Sequence, residues 1–191
     1  MTNLCPSRQS QTSRKMGKEQ MKLNCQAFIE LVKNTPLVSI DLIVRNVQDE
    51  ILLGLRNNNP AKHFWFVPGG RILKNEPLHK AFWRITGEEL GLNFDIYAAK
   101  FIGVFEHLYA ENFAQEPGFG THYIVLAYEL KSGETVITPP KDQHCAYKWV
   151  TRDVLVHLQD VHPYTKAYFE TRYPLVTSFT FINNALFDMR R

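Results

Sequence analysis

A stretch that opens at Gly69-Gly70 and closes on the adjacent carboxylates Glu88-Glu89 holds residue types suited to metal and phosphate chemistry. Between them, Leu78, Ala81, Phe82 and Ile85 recur at helical spacing from Pro77 to Leu90, and Gly91 is placed to stop the helix. Glu89 follows Ile85 by one helical turn, while Arg84 and Glu88 form an i, i+4 pair on an adjacent face. A helix carboxylate facing a glycine turn, whose backbone carbonyls are unobstructed, offers hard oxygens suited to Mg²⁺. A divalent ion held there can grip a diphosphate. The plainer alternative is a solvated, charged helix after a loop. Asp41 is a second unusual acid, because it interrupts the apolar pattern LVSIDLIVRN (37–46) and a buried acid demands a partner.

These residues need a scaffold, and the rest of the chain reads as one. NCQAFIELVKN (24–34) predicts a short amphipathic helix, capped by Asn24, with Phe28, Leu31 and Val32 on one face and Thr35-Pro36 as its stop. Strands are predicted over 37–46, over EILLGLRN after a turn at Gln48-Asp49, over HFWFVP (63–68), and over about 98–110, 121–130 and 145–150. Helices near Arg152 and over about 161–171 follow. No repeat is present, and a mixed sheet covered by helices results.

Of the 191 residues 45% are hydrophobic and 21% charged, values that fit one globular domain and exclude fibrous and disordered classes. No run of about 18 apolar residues occurs, so no membrane-spanning helix is expected. The net charge of +3 belongs to residues 1–22, where five basic residues face one acidic residue; the remainder carries −1. That remainder has no basic surplus with which to hold nucleic acid. Residues 1–20 are polar and basic, with no apolar core of a secretion signal, and their composition predicts disorder. The domain is expected over 21–172, followed by a tail at 173–191 too irregular to assign. Cys5, Cys25 and Cys145 form no pair at metal-ligand spacing, and their odd count fits a reducing cytoplasm.

Gly70, Glu76, Arg84, Glu88, Glu89, Gly91 and Leu92 fit the pattern G-x5-E-x7-R-E-U-x-E-E-x-G-U, where U is aliphatic, at seven positions within 23 residues. The stretch resembles the signature of the Nudix hydrolase family. The resemblance implies an α/β fold, a Nudix-like α/β/α sandwich around a mixed β-sheet. Two positions depart: Ile85 replaces the first clustered Glu, and Thr86 replaces an aliphatic residue. Loss of that Glu weakens the multi-metal cluster that activates water against phosphorus. From about Leu23 to Tyr168 the chain is similar to the GDP-mannose mannosyl hydrolase branch, which lacks this Glu and attacks sugar carbon. The similarity is carried by Thr35–Ser39, Trp65–Arg71, His107–Tyr109, Thr121–Tyr123 and Gln143-His144. Glu88 is retained here although that branch tends to lose it, and this keeps a second metal and attack at phosphorus open.

The same resemblance implies roles. Gly69, Glu89 and Gln143 would ligate one Mg²⁺ per subunit, with Mn²⁺ able to substitute, and His144 would be the general base. Arg56 and Arg71 match cations that bind the departing diphosphate, and Asp41 matches an acid of the site. Leu23 and Phe28 match residues of the nucleotide pocket, contributed partly by a dimer mate. His107, Tyr109 and Tyr123 also match site positions, packing being the plainer role for each. The implied function is hydrolysis of GDP-mannose, with GDP-glucose a second candidate, to GDP and free sugar through inversion at C1. The implied assembly is a homodimer, with neither nucleic acid nor membrane as partner. An ordinary Nudix pyrophosphatase attacking phosphorus and a non-catalytic nucleotide-sugar sensor are the alternatives.

Overall fold

Alternation along LVSIDLIVRN divides the molecule into two layers. In the computed structural model, which describes residues 23–140 and 144–170, this segment is strand β1 (Leu37–Asn46). Ile40, Leu42 and Val44 face one core, and Ile43 faces the other. Asp41 precedes Ile43 by two residues and therefore shares its face. β1 runs parallel to β6 (Thr121–Gly133) and antiparallel to β2 (Ile51–Arg56) and β4 (Gly69–Arg71). β3 (Trp65–Phe66) and β7 (His144–Val150) pair with β2, and β5 (Ala99–Tyr109) pairs with β6 at the far edge. The sheet is mixed, as the sequence predicts.

Helix α1 (Cys25–Asn34) begins where Asn24 Oδ1 accepts the Ala27 N–H at 2.8 Å, and it ends at Thr35. Its buried residues are Ile29 and Val32, three apart, whereas Leu31, predicted for the inner face, is exposed. Helix α2 (Leu78–Leu90) covers one face of the sheet with Ala81, Phe82, Ile85 and Leu90. Gly91 closes it at φ 75°, a left-handed position that only glycine takes freely. The opposite face is covered by α3 (Arg152–His157) and α4 (Pro163–Ala167), with Leu155, Val161, Tyr168 and Phe169 in that core. An α/β/α sandwich results.

Other local expectations change as well, and the strand predicted over 63–68 narrows to Trp65–Phe66. Gly69-Gly70 is not a free turn but part of β4, paired with β1 through Asp41↔Gly69 and Ile40↔Gly70. The last helix is shorter than 161–171, because Val161 is held extended by a bridge to Trp65 and Pro163 starts the helix. The strand predicted over 121–130 continues to Gly133. The leader at 1–20 and the tail at 173–191 lie outside the described residues. Among the described residues, no helix is long and apolar enough to cross a membrane.

Ile85 joins β4 to α2. It is fully buried, and a Cβ added at Gly70 would stand 3.2 Å from Ile85 Cγ1. The second glycine is thus a close-approach residue that lets the helix lie against the strand. Ile85→Ala should lower stability by about 2–5 kcal/mol through the cavity left behind. Urea denaturation checks this; a loss below about 1 kcal/mol would mean that the helix closes onto Gly70 without it.

Candidate active site

The acids of the 70–92 stretch separate into two groups. Glu76 takes both arms of the Arg84 guanidinium, from Nε to Oε1 and from Nη2 to Oε2, each at 2.8 Å. Arg84 also donates to Glu88 at 2.7 Å and to the Arg71 carbonyl at 2.9 Å, while Glu76 accepts the Leu73 N–H at 3.1 Å. The bidentate bond to Arg84 holds the Glu76 carboxyl below its ordinary range and raises Arg84. These three residues fasten the loop between β4 and α2. Glu88, more than half exposed, is committed to Arg84.

Glu89 points the other way. It is 2% exposed, and its Oε2 has no hydrogen-bond partner among the described residues. Burial pushes its carboxyl up to about 8, with help from the charges of Glu88 and Asp41 and opposition from Arg56 and the Gly69 N–H. An unpartnered carboxylate oxygen in a negative, dry surrounding fits a hard divalent cation. Gly69 adjoins it, and Gln143 lies outside the described residues. Among the described residues, no three His, Cys, Asp or Glu side chains gather at metal-ligand spacing. Ile85 in the core and Glu88 on the surface account for that.

His144 starts β7 opposite Arg56 of β2, and its Nδ1 stands 3.8 Å from Glu89 Oε2. Space for the ring comes from Gly54, where a Cβ would lie 2.5 Å from His144 Cδ2. Tyr147 Oη donates to the Pro140 carbonyl at 2.9 Å and lies 3.2 Å from His144 Nδ1. With that proton committed, Tyr147 accepts from Nδ1–H, and Nε2 is the basic nitrogen. Burial and the Arg56 charge lower His144 to about 4, so the ring is neutral at pH 7.

A cavity of about 250 Å³ gathers Phe28, Asp41, Arg56, Gly69 and Arg71 with His107, Tyr109, Tyr123 and His144. Glu89 touches this group through His144, and Leu23, half exposed, stays outside the cavity wall. Ser39, Phe66, Val67 and Gly70, from stretches that carry the family similarity, also line the cavity, as do Asn58 and Phe113, which no sequence signal marks. Phe113 belongs to a loop organised by Asn112, which is almost fully buried. Asn112 donates to the carbonyls of Glu116 and Phe119 and accepts the N–H groups of Ala114 and Glu116. A lone Asn in a loop carries no sequence signal for this.

The cavity's chemistry is mixed. Arg71 lies over the Phe28 ring at 4.1 Å, Phe113 sits 4.6 Å from Phe28, and Arg56 lies over Phe66 at 5.3 Å. Asp41, whose burial demands a partner, accepts from the Tyr168 hydroxyl at 2.6 Å. Burial raises its carboxyl to about 6 against that bond and the Arg56 charge. The lining thus combines aromatic faces and cations suited to a base and phosphates with a carboxylate and an imidazole suited to hydroxyls.

The NUDIX domain profile matches residues 35–171, and the chain belongs to the Nudix hydrolase family. In the solved MutT NUDIX hydrolase of Burkholderia pseudomallei, a similar fold superposes with TM-score 0.57 at 27% identity, over 73% of this chain and 99% of that one. The MutT protein of Methanosarcina mazei Go1 shares the fold at TM-score 0.56 and 20% identity, over 71% and 92% of the two chains. Low-salt glycan biosynthesis protein Agl8 of Haloferax volcanii is 43% identical over 100 residues, 52% of this chain. The match spans 62% of that relative's length.

His107 is almost fully buried, and burial together with the nearby His162 lowers it from 6.5 to about 3. The unfolded chain therefore takes up this proton first as pH falls below 6.5, and stability is lost across the window from 6.5 down to about 3. Relative to His107→Gln, the wild type should lose up to about 1.4 kcal/mol per pH unit on acidification through this window. Urea melts of both proteins from pH 7 to 5 test this; a constant difference between them would show that His107 is not held neutral.

Proposed function

We propose that the protein hydrolyses a GDP-sugar, GDP-mannose first and GDP-glucose second, to GDP and free sugar by attack of water at sugar C1. The observation that carries this reading is the division of the acids in the 70–92 stretch: of these Glu89 alone turns inward, with His144 at 3.8 Å, while Glu88 is spent on Arg84. A single inward carboxylate suits one divalent cation rather than the cluster that activates water against phosphorus. Nudix hydrolases generally use a divalent metal such as Mg²⁺ or Mn²⁺. Here Mg²⁺, with Mn²⁺ able to substitute, would be held by Glu89, the Gly69 carbonyl and Gln143. When bound it supplies charge that neutralises the diphosphate and eases its departure.

The chain's own groups do the rest. His144 Nε2 takes a proton from water as the water oxygen bonds to C1. Arg56 and Arg71 bind the diphosphate and gain strength as the C1–O bond breaks and charge collects on the leaving oxygens. A leaving group neutralised in this way needs no protonating acid, unlike an ordinary glycoside, so one base suffices. Entry of water opposite the departing diphosphate inverts C1. Asp41 and His107 face the sugar, and Phe28 with Tyr123 the base. Similarity to a relative named for glycan biosynthesis agrees with a sugar substrate. We place this chemistry in a homodimer of the cytoplasm, in which Leu23, half exposed in the single chain, completes a neighbouring subunit's nucleotide pocket.

The position of bond cleavage decides the reading. In ¹⁸O-labelled water with Mg²⁺ and GDP-mannose, label should enter mannose and not GDP, and the first-formed sugar should be the β anomer. His144→Gln should lower kcat by roughly 10²–10⁴-fold with a much smaller change in KM. GMP and mannose 1-phosphate as products would instead make this chain a pyrophosphatase that attacks phosphorus.

A further inference from the structure

Tyr168 lies just beyond α4, far in sequence from every group of the 70–92 stretch, and its hydroxyl meets two residues of the cavity wall from behind. The residue is 7% exposed, and its ring packs edge-on against Phe105 with centroids 4.7 Å apart. Its Oη lies 2.6 Å from Asp41 Oδ2 and 3.3 Å from His107 Nε2. Asp41 and His107 both line the cavity, and Tyr168 itself does not.

We propose that Tyr168 is a positioning residue, whose hydroxyl fixes the Asp41 carboxylate and holds His107 as the Nε2–H tautomer. A phenol has one proton. The shorter contact, to a carboxylate, takes it, because an acceptor carrying charge makes the stronger bond. The phenol oxygen is then an acceptor at its second contact, so the imidazole must donate, and Nε2 carries the hydrogen. Burial and the Asp41 charge raise the Tyr168 hydroxyl well above its ordinary range, so it stays protonated and the direction of the chain of bonds is constant.

The same C-terminal segment fixes the ring plane. Tyr164 stacks on His107 at 4.2 Å with an interplanar angle of 3°, and its own hydroxyl is clamped by the backbone of Leu108, donating to the carbonyl at 2.6 Å and accepting the N–H at 2.9 Å. His107 is therefore held on one face by Tyr164 and at one edge by Tyr168. The two acceptor-bearing groups on the sugar side of the proposed reaction owe their orientation to residues 164–168. The activity part of the following test rests on the proposed hydrolysis; the tautomer part does not.

Uniformly ¹⁵N-labelled full-length chain at pH 7 gives the tautomer directly from long-range ¹H–¹⁵N imidazole correlations, with the His107 signals assigned by their loss in His107→Gln. The expected wild-type pattern is Nε2–H alone. In Tyr168→Phe, which keeps the ring and its packing on Phe105, that preference should collapse to a mixture. GDP-mannose kcat/KM should fall about 10–100-fold, the usual consequence of leaving a buried polar group unpaired. A merely structural tyrosine would lower the melting temperature and leave the tautomer and kcat/KM unchanged, which would overturn the proposal. An Nδ1–H wild type would also overturn it, and this spectrum decides the matter even if Tyr168→Phe does not fold. A wild type that does not turn over GDP-mannose but shows Nε2–H would refute the substrate and leave the positioning role standing.

Discussion

A carboxylate removed from water without a full set of partners is the constraint around which this molecule is arranged. Glu89 is 2% exposed, and one of its oxygens is unpartnered among the described residues. Burial of an acid in that state is costly, and such a group gains protons or a cation. The surrounding structure keeps the cost in place. α2 is pressed onto β4 through Ile85 and Gly70, and the Arg84–Glu76 fork ties the intervening loop so that the helix cannot roll its carboxylate outward. The helix terminates at Gly91 one residue after Leu90, which is itself fully buried. The two charged faces of one helix thus serve different ends, an outer one for the loop and an inner one for the site.

That arrangement also explains residues with no chemistry of their own. Gly54 leaves room for the His144 ring, and Gly69 lets β4 run within contact of Asp41 Oδ1, where a Cβ would stand 2.6 Å away. Close approach, rather than unusual backbone angles, is what these glycines supply. His144 then reaches Glu89 from the opposite strand pair with its tautomer set by Tyr147, and its basic nitrogen is available. In the proposed function, the aromatic and cationic residues of the cavity would complete a binding surface for a nucleotide linked to a hydroxyl-rich group.

Much of this arrangement was legible in the sequence, for identifiable reasons. Spacing over 70–92 reported the helix, its stop and the separation of Arg84–Glu88 from Glu89, because helical periodicity and capping are local properties. The alternation around Asp41 placed an acid among apolar neighbours and marked it as unusual. What was not legible depends on contacts between distant segments. The partner of Asp41 is Tyr168, 127 residues away. Glycine pairs such as Gly69-Gly70 signal turns, yet tertiary pairing with β1 makes this one a strand. Leu31 lies on the outer side of α1, since a ten-residue helix with apolar residues at 28, 29, 31 and 32 supports two phases and packing chooses between them. Phe113 and Asn112 sit in a loop whose shape comes from hydrogen bonds that no periodicity encodes.

In the proposed reading, Glu89 is the one carboxylate of the 70–92 stretch that turns inward, and it defines a single-cation site. Equilibrium titration of the full-length chain with Mn²⁺, followed by electron paramagnetic resonance of the free ion, counts bound cations without reference to any substrate. One ion per chain is expected, displaced by Mg²⁺ and lost in Glu89→Gln, with Glu88→Gln still binding one. Two ions per chain, or one that survives Glu89→Gln, would contradict it.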